Sequence, residues 1–239
     1  MPGIVALCGG NEFEADTKGF NKAVLRAART DKPQVVILPA AFPDNPRKAG
    51  KAGVGALSAI GARAEAILIA DRATANDSQL AAPIETAQVI YLADGNPLAA
   101  VETLRETETL RHLEHRWQQG AILAASGAAA MALCELYWDA GVWESGLGLL
   151  KGIAVLPHHA HIAGRFSPER LLKDLPASIT LIGLDDSTGI LLDANTATVR
   201  GAQTVTRYRR YIEPAEKPRE DDEDDITIEY QDGESFTFG

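Results

Sequence analysis

The stretch Ala121-Ile-Leu-Ala-Ala-Ser126-Gly127-Ala128-Ala129 carries the residues for nucleophilic chemistry. An apolar run that reads as a strand ends in a serine, and a run of very small residues that reads as a helix starts at once. Such a junction thrusts a hydroxyl out at the carboxyl end of a sheet and points a helix N-terminus at it. The backbone N–H of Gly127 would then face a developing oxyanion. A serine before a helix is also an ordinary N-cap, and Ala124 and Ala128 stand where a nucleophile elbow usually has glycine. A second feature is Leu156-Pro157-His158-His159-Ala160-His161, again after a strand pattern. A histidine there suits acid–base work. Metal binding ranks below it, because no H-E-x-x-H or comparable pattern joins the three histidines, and His112 and His115 lie on a helix that reads as exposed. The third is Asp94-Gly95-Asn96-Pro97, a turn with helix-starting chemistry. Combined with the serine junction, its Gly95 N–H is a candidate second oxyanion donor.

These junctions need a sheet behind them. Buried-type strands are expected at Gly3–Cys8, Gln34–Pro39, Ala64–Ala70, Val89–Ala93, Ala121–Ala125 and Ile153–Leu156. Helical patterns fall between them, over about Asp16–Arg29, Ala52–Ala62, Pro97–Arg105, Glu108–Gln118 and Ser126–Leu136. Beyond Leu175, short β segments at Ser178–Leu184, Gly189–Leu192, Thr196–Arg200 and Thr204–Tyr208 read as an antiparallel extension of the same domain. The fold class is α/β, with a mostly parallel sheet between helical layers.

The chain has 239 residues, 46% apolar and 23% charged, which suits one large domain with an appendage and excludes global disorder. Net charge is −10, and an acidic chain argues against a nucleic-acid partner. Most of that charge lies in residues 213–239, so the expected division is a domain over 1–212 and an acidic tail over 213–239. The run Glu220-Asp-Asp-Glu-Asp-Asp225 repels itself, while the alternation Ile226-Thr-Ile-Glu-Tyr230 suits one strand at a sheet edge. Cys8 and Cys134 set no disulfide framework, and no apolar run reaches bilayer length, so a cytoplasmic protein is expected.

Taken in order, Gly9-Gly10, Tyr91-Leu-Ala-Asp-Gly-Asn96, Ala125-Ser126-Gly127-Ala128, Gly146-Leu-Gly-Leu-Leu150 and Pro157-His158 resemble the peptidase E/cyanophycinase family of serine peptidases. Leu181–Leu192 and Val199–Val205 are similar to that family's C-terminal β segments. The resemblance implies a flavodoxin-like three-layer sandwich, shared with class I glutamine amidotransferases, and no cofactor or metal. It implies Ser126 as nucleophile, His158 as general base, and the Gly95 and Gly127 amides as oxyanion hole. Among Glu135, Asp139 and Glu144 in the interval where the family keeps its acid, Glu144 is preferred for its place in a loop. Family members cleave beside aspartate, which implies a small peptide substrate and a guanidinium for its carboxylate, from Arg165 or Arg170. A homo-oligomer is allowed. Three departures stand out: Ser-Gly-Ala-Ala replaces the usual Ser-Ala-Gly-Ala, Asp94 replaces the second glycine before asparagine, and Leu-Pro-His replaces Asp-Gln-His. They keep two rivals open, a non-catalytic binding protein with the same fold and an amidase or amidotransferase-type hydrolase.

Overall fold

Apolar runs without alternation build the centre of the main sheet, as strands covered on both faces require. The computed structural model describes residues 2–208 and 227–238. Strands β1 (Val5–Cys8), β2 (Gln34–Leu38), β3 (Arg63–Ala66), β4 (Val89–Leu92) and β5 (Ile122–Ser126) pair in parallel, in the order β1-β5-β4-β2-β3. Every residue of β1, β4 and β5 is buried. One face packs Phe20, Val24 and Leu25 of the Lys18–Ala27 helix and Leu57 of the Pro46–Ser58 helix against Cys8, Ile37, Tyr91 and Ala124. The other packs the Pro97–Leu104, Glu108–Gln118 and Gly127–Leu133 helices against Leu7, Val36, Ile90, Leu123 and Ala125. The three-layer α/β expectation holds. The second helix starts earlier than its apolar pattern suggests, because Asn45 caps it by accepting from Lys48 N and Pro46 takes the first turn.

The Ala-rich helix stops at Leu133, three residues short of expectation. Cys134 is extended, and β6 (Leu136–Asp139) and β7 (Val142–Ser145) form a hairpin instead. Ala140 and Gly141 both have positive φ, 46° and 98°, and form its two-residue turn, the geometry that matches strand twist. Trp138 stacks edge-on against Trp143 and Phe166, so aromatic burial outweighs helix continuation.

The segments expected as an antiparallel extension of the same domain divide between two sheets. These are β8 (Ile153–Pro157), β9 (Thr180–Leu184), β10 (Thr188–Asp193), β11 (Thr196–Gly201), β12 (Val205–Tyr208), β13 (Thr227–Tyr230) and β14 (Ser235–Thr237). Strands β10, β11 and β14 continue the main sheet antiparallel beyond β1. A second sheet runs β13-β12-β9-β8, with β8 and β9 parallel.

Residues 227–238 therefore contribute a strand to each sheet. Within the alternation expected at Ile226–Tyr230, Thr227–Tyr230 forms β13 on the edge of β12, and β14 seats Phe236 at 6% exposure beside Tyr230 and Phe238. The acidic run 220–225 lies outside the described residues. Deleting residues 213–239 should uncover the edges of β11 and β12 and the pocket of Phe236. Burying one large aromatic contributes about 2 kcal/mol, so Tm should fall by roughly 5 °C or more, with concentration-dependent association through the bared edges. Calorimetry and light scattering of the truncated protein check this; an unchanged Tm would assign these strands no part in stability.

Candidate active site

Five strand ends meet on the carboxyl side of the two sheets, where ligands bind in open α/β folds. From β1 comes Gly9-Gly10, from β4 Asp94-Gly95, from β5 Ser126-Gly127, from β8 His158, and from β9 Asp185-Asp186. Register brings them together. Cys8 lies opposite Ser126 and Leu92 opposite Ala125, while Pro157 lies opposite Leu184, so His158 emerges beside Asp185 and Asp186. The two sheets are tied at this point, where His158 N donates to Gly9 O at 2.8 Å; Gly9 N donates in turn to Thr188 O of β10 at 2.8 Å, and Ser187 N, in the link from β9 to β10, to Gly10 O at 3.1 Å.

His158 sits in the left-handed region, φ 50° and ψ 40°, at the start of the His159–Ala163 helix. A non-glycine residue there carries roughly 1 kcal/mol or more of strain, the kind held at functional sites. Its Nδ1 lies 2.5 Å from Asp186 Oδ1 and its Nε2 3.5 Å from Asp94 Oδ2. Gly10 (φ 141°) makes the first contact possible, since a Cβ there would run into the imidazole and the Asp186 carboxylate. Asp94 first, and Asp186 with it, hold the His158 pKa up at about 9 against the opposing effect of partial burial. The imidazole is therefore a cation at neutral pH, flanked by two carboxylates.

The carboxylate on His158 Nδ1 is thus Asp186, and Glu144 does not occupy that place. Glu144 lies on β7 across from Tyr137 and lines a separate groove of about 800 Å³ with Arg72 and Arg105. The hairpin takes Glu144 there; the helix-plus-loop reading of 126–144 had no such restraint. Glu135 lies in the Cys134–Leu136 link to β6, and Asp139 is exposed at the end of β6. Asp186 belongs to the turn Asp185-Asp186-Ser187, whose two acids directly after an apolar strand were the available signal. Next to it, Asp185 accepts from Ala160 N and Thr204 N, and the buried His159 meets Tyr208 Oη at 2.7 Å, which steadies the His158 segment from behind.

Position 127, one residue past the expected nucleophile, has the backbone of an elbow. Gly127 has φ 52°, whereas Ser126 is extended at φ −125° and ψ 150°. By strand alternation Ser126 shares the face of Ala124 and Cys8. Its side chain is 0% exposed, and its Oγ meets no partner at hydrogen-bonding geometry. Cys8 and Glu12 are close enough for the hydroxyl to lower both their pKa values slightly, within environments whose burial dominates and pushes Glu12 up and Cys8 to about 12. The structure does not bring Ser126 and His158 into hydrogen-bond contact.

Two backbone donors do converge beside the elbow. Gly95 N and Ala128 N point to one place, at 2.6 and 2.7 Å from Asp94 Oδ1. The second donor is Ala128, where Gly127 was expected, because the N–H that follows an elbow residue faces the hole. Asp94 is itself anchored through its N–H, which donates to Glu12 Oε1 at 2.9 Å. A cleft of about 270 Å³ opens at Asp94, lined by Glu12, Phe13, Phe42 and Lys48. Lys48 is its cation. Arg165 is exposed after the His159–Ala163 helix and does not line this cleft, and Arg170 donates to Gly141 O at 2.5 Å while lying over Trp138. Among the described residues, no His, Cys, Asp and Glu cluster is arranged to hold a metal ion, and no helix is long and apolar enough to cross a membrane.

A histidine, an acid and paired amides thus gather at the strand ends of an α/β fold, a frame shared with hydrolases built on an elbow. The model of peptidase family S51 matches residues 4–200, and the chain belongs to that family of serine-type peptidases. It is 27% identical over 154 residues to the cyanophycinases of Synechococcus elongatus and Thermosynechococcus vestitus, an alignment covering 59% of this chain and 47% of each relative. The chain thus spans about half the length of the curated relatives it matches. A crystal structure of a peptidase from an acI-B1 actinobacterium superposes with a TM-score of 0.82 at 21% identity, covering 100% of this chain and 98% of the other. A putative peptidase E from Listeria monocytogenes EGD-e gives 0.60 at 14% identity, covering 85% of this chain and 100% of that one. At these identities the two structures speak for a shared fold.

Proposed function

We propose that the cleft at Asp94 takes a short peptide and that His158, held by Asp186, carries the protons of its hydrolysis. The observation that supports this reading is the His158–Asp186 contact of 2.5 Å facing two converging backbone N–H groups. A peptide carbonyl seated on Gly95 N and Ala128 N would have its developing negative charge met by both donors. In this reading Ser126 supplies the attacking hydroxyl once the turn opens to expose it. Its oxygen bonds to the carbonyl carbon and its proton passes to His158 Nε2. That proton goes to the leaving amine as the C–N bond breaks, and water then cleaves the ester by the reverse proton path. Residues beside aspartate are the proposed substrate class, by analogy with the cyanophycinase relatives, and Lys48 is the cation placed to meet such a carboxylate.

A second reading, peptide binding without turnover, is favoured by one observation. The elbow residue is Gly127, and the hydroxyl one position earlier is buried. Hydrolysis of a dipeptide panel including Asp-Leu by wild type, Ser126→Ala and His158→Ala separates the two. Turnover lost in both variants, with their melting curves unchanged, supports the serine-type hydrolase. Turnover retained in Ser126→Ala removes Ser126 from the chemistry. If wild type binds dipeptides without cleaving them, the binding reading stands, and Gly127→Ser combined with Asp94→Gly should then gain hydrolysis.

A further inference from the structure

Resting on the peptide-cleft reading above, we propose that Asp94 is an internal occupant of the carbonyl seat, matched to Gly127, and that a peptide enters only by displacing it. The carboxylate lies where a substrate oxygen would go: one oxygen takes both converging N–H groups, and the other faces His158 Nε2 at 3.5 Å. Its fit depends on Gly127, because a Cβ at that position would collide with all three atoms of the Asp94 carboxyl group. The two residues therefore fill jointly the space that an elbow side chain and a bound oxyanion would divide between them.

The side chain can leave without unfolding the loop. Asp94 is held at its backbone N–H by Glu12, and Gly95 continues into Asn96, whose side chain caps the next helix by accepting from Ala99 N. Rotation about χ1 of Asp94 would empty the seat while both anchors stay. Occupation of the seat by its own carboxylate lowers apparent peptide affinity in proportion to the fraction of molecules that are open. With the closed form in clear majority, removing the carboxylate should tighten binding by about tenfold or more.

Two measurements test this without needing turnover. The first is a thermal double-mutant cycle of Gly127→Ala and Asp94→Gly. The positive φ at 127 penalises alanine equally in both backgrounds and cancels, leaving the collision with the carboxyl group. Gly127→Ala should lower Tm clearly in wild type and much less in Asp94→Gly; equal losses in the two backgrounds overturn the matched pair. The second is titration of Asp-Leu into wild type and Asp94→Gly, followed by amide NMR shifts of Gly95 and Ala128 at a temperature where hydrolysis is slow. Binding about tenfold or more tighter in Asp94→Gly, with those two amides shifting most, is expected. Equal or weaker binding overturns the internal occupant. Should Asp94→Gly fold poorly, Asp94→Ser gives the same comparison with a side chain too short to bridge both donors and His158. Failure of the hydrolase reading would appear only as absent turnover, with both results above intact.

Discussion

Asp186→Asn should cut peptide hydrolysis by roughly 10³–10⁴-fold, the scale seen when the acid behind a catalytic histidine becomes an amide, while Glu144→Gln leaves it unchanged. The carboxylate lies 2.5 Å from His158 Nδ1 and fixes the proton on that nitrogen, leaving Nε2 to accept from the attacking hydroxyl. An amide in its place can donate to Nδ1 and stabilise the opposite tautomer, with the proton on Nε2. The fold should survive, since Asp186 is at the surface end of β9 and its side chain remains about one-third exposed. Steady-state rates with Asp-Leu, together with the imidazole NMR signals of His158, check both parts. Activity kept in Asp186→Asn and lost in Glu144→Gln would return the acid's role to the β6–β7 hairpin.

The pH dependence should be equally large. With its pKa raised to about 9, His158 is almost wholly protonated at neutral pH, and only its small neutral fraction can act as a base. Hydrolysis should therefore rise about tenfold per pH unit through the neutral range and level off near pH 9. Stability moves the other way. A histidine whose folded pKa lies above its unfolded value of about 6.5 adds its full stabilisation below pH 6.5, and that gain fades as pH climbs through 9. The shift sets an upper limit of about 3 kcal/mol; because the side chain is 40% exposed, solvent screening trims this to about 1–2 kcal/mol. Asp94→Asn should lower the His158 pKa and shift the rate profile toward acid. Rate–pH curves and NMR titration of His158 in the two proteins check the direction; a flat rate between pH 6 and 9 would contradict it.

Local patterns carried most of the architecture. The strands ending at Cys8, Leu92 and Ser126 are continuous apolar runs, and their carboxyl ends lie side by side, with Asp94 just past Leu92 reaching the cleft. Separation of the second sheet was not legible, because β8 reads like any buried strand and only its pairing with β9 removes it from the main sheet. His158 was recognisable from its place after a strand. Asp186 was hidden by distance, 28 residues along the chain, since its approach depends on the parallel register of Pro157 with Leu184. The position of the elbow was not legible for a physical reason: in a sequence the N-cap residue and the elbow residue are neighbours, and only backbone dihedrals distinguish extended Ser126 from left-handed Gly127.

The hydrogen bond from His158 N to Gly9 O makes the proposed site a property of how two sheets are joined. Cooperative units of a protein open at different free energies, and the four-stranded sheet, with the half-buried β13 at its outer edge, is the smaller of the two. Its loosening would carry His158 and Asp186 away from Gly95 and Ala128 while the parallel strands stayed intact. In a denaturant series, inactivation would then precede the loss of far-ultraviolet ellipticity, and the gap between those two midpoints would measure how firmly the sheets are welded.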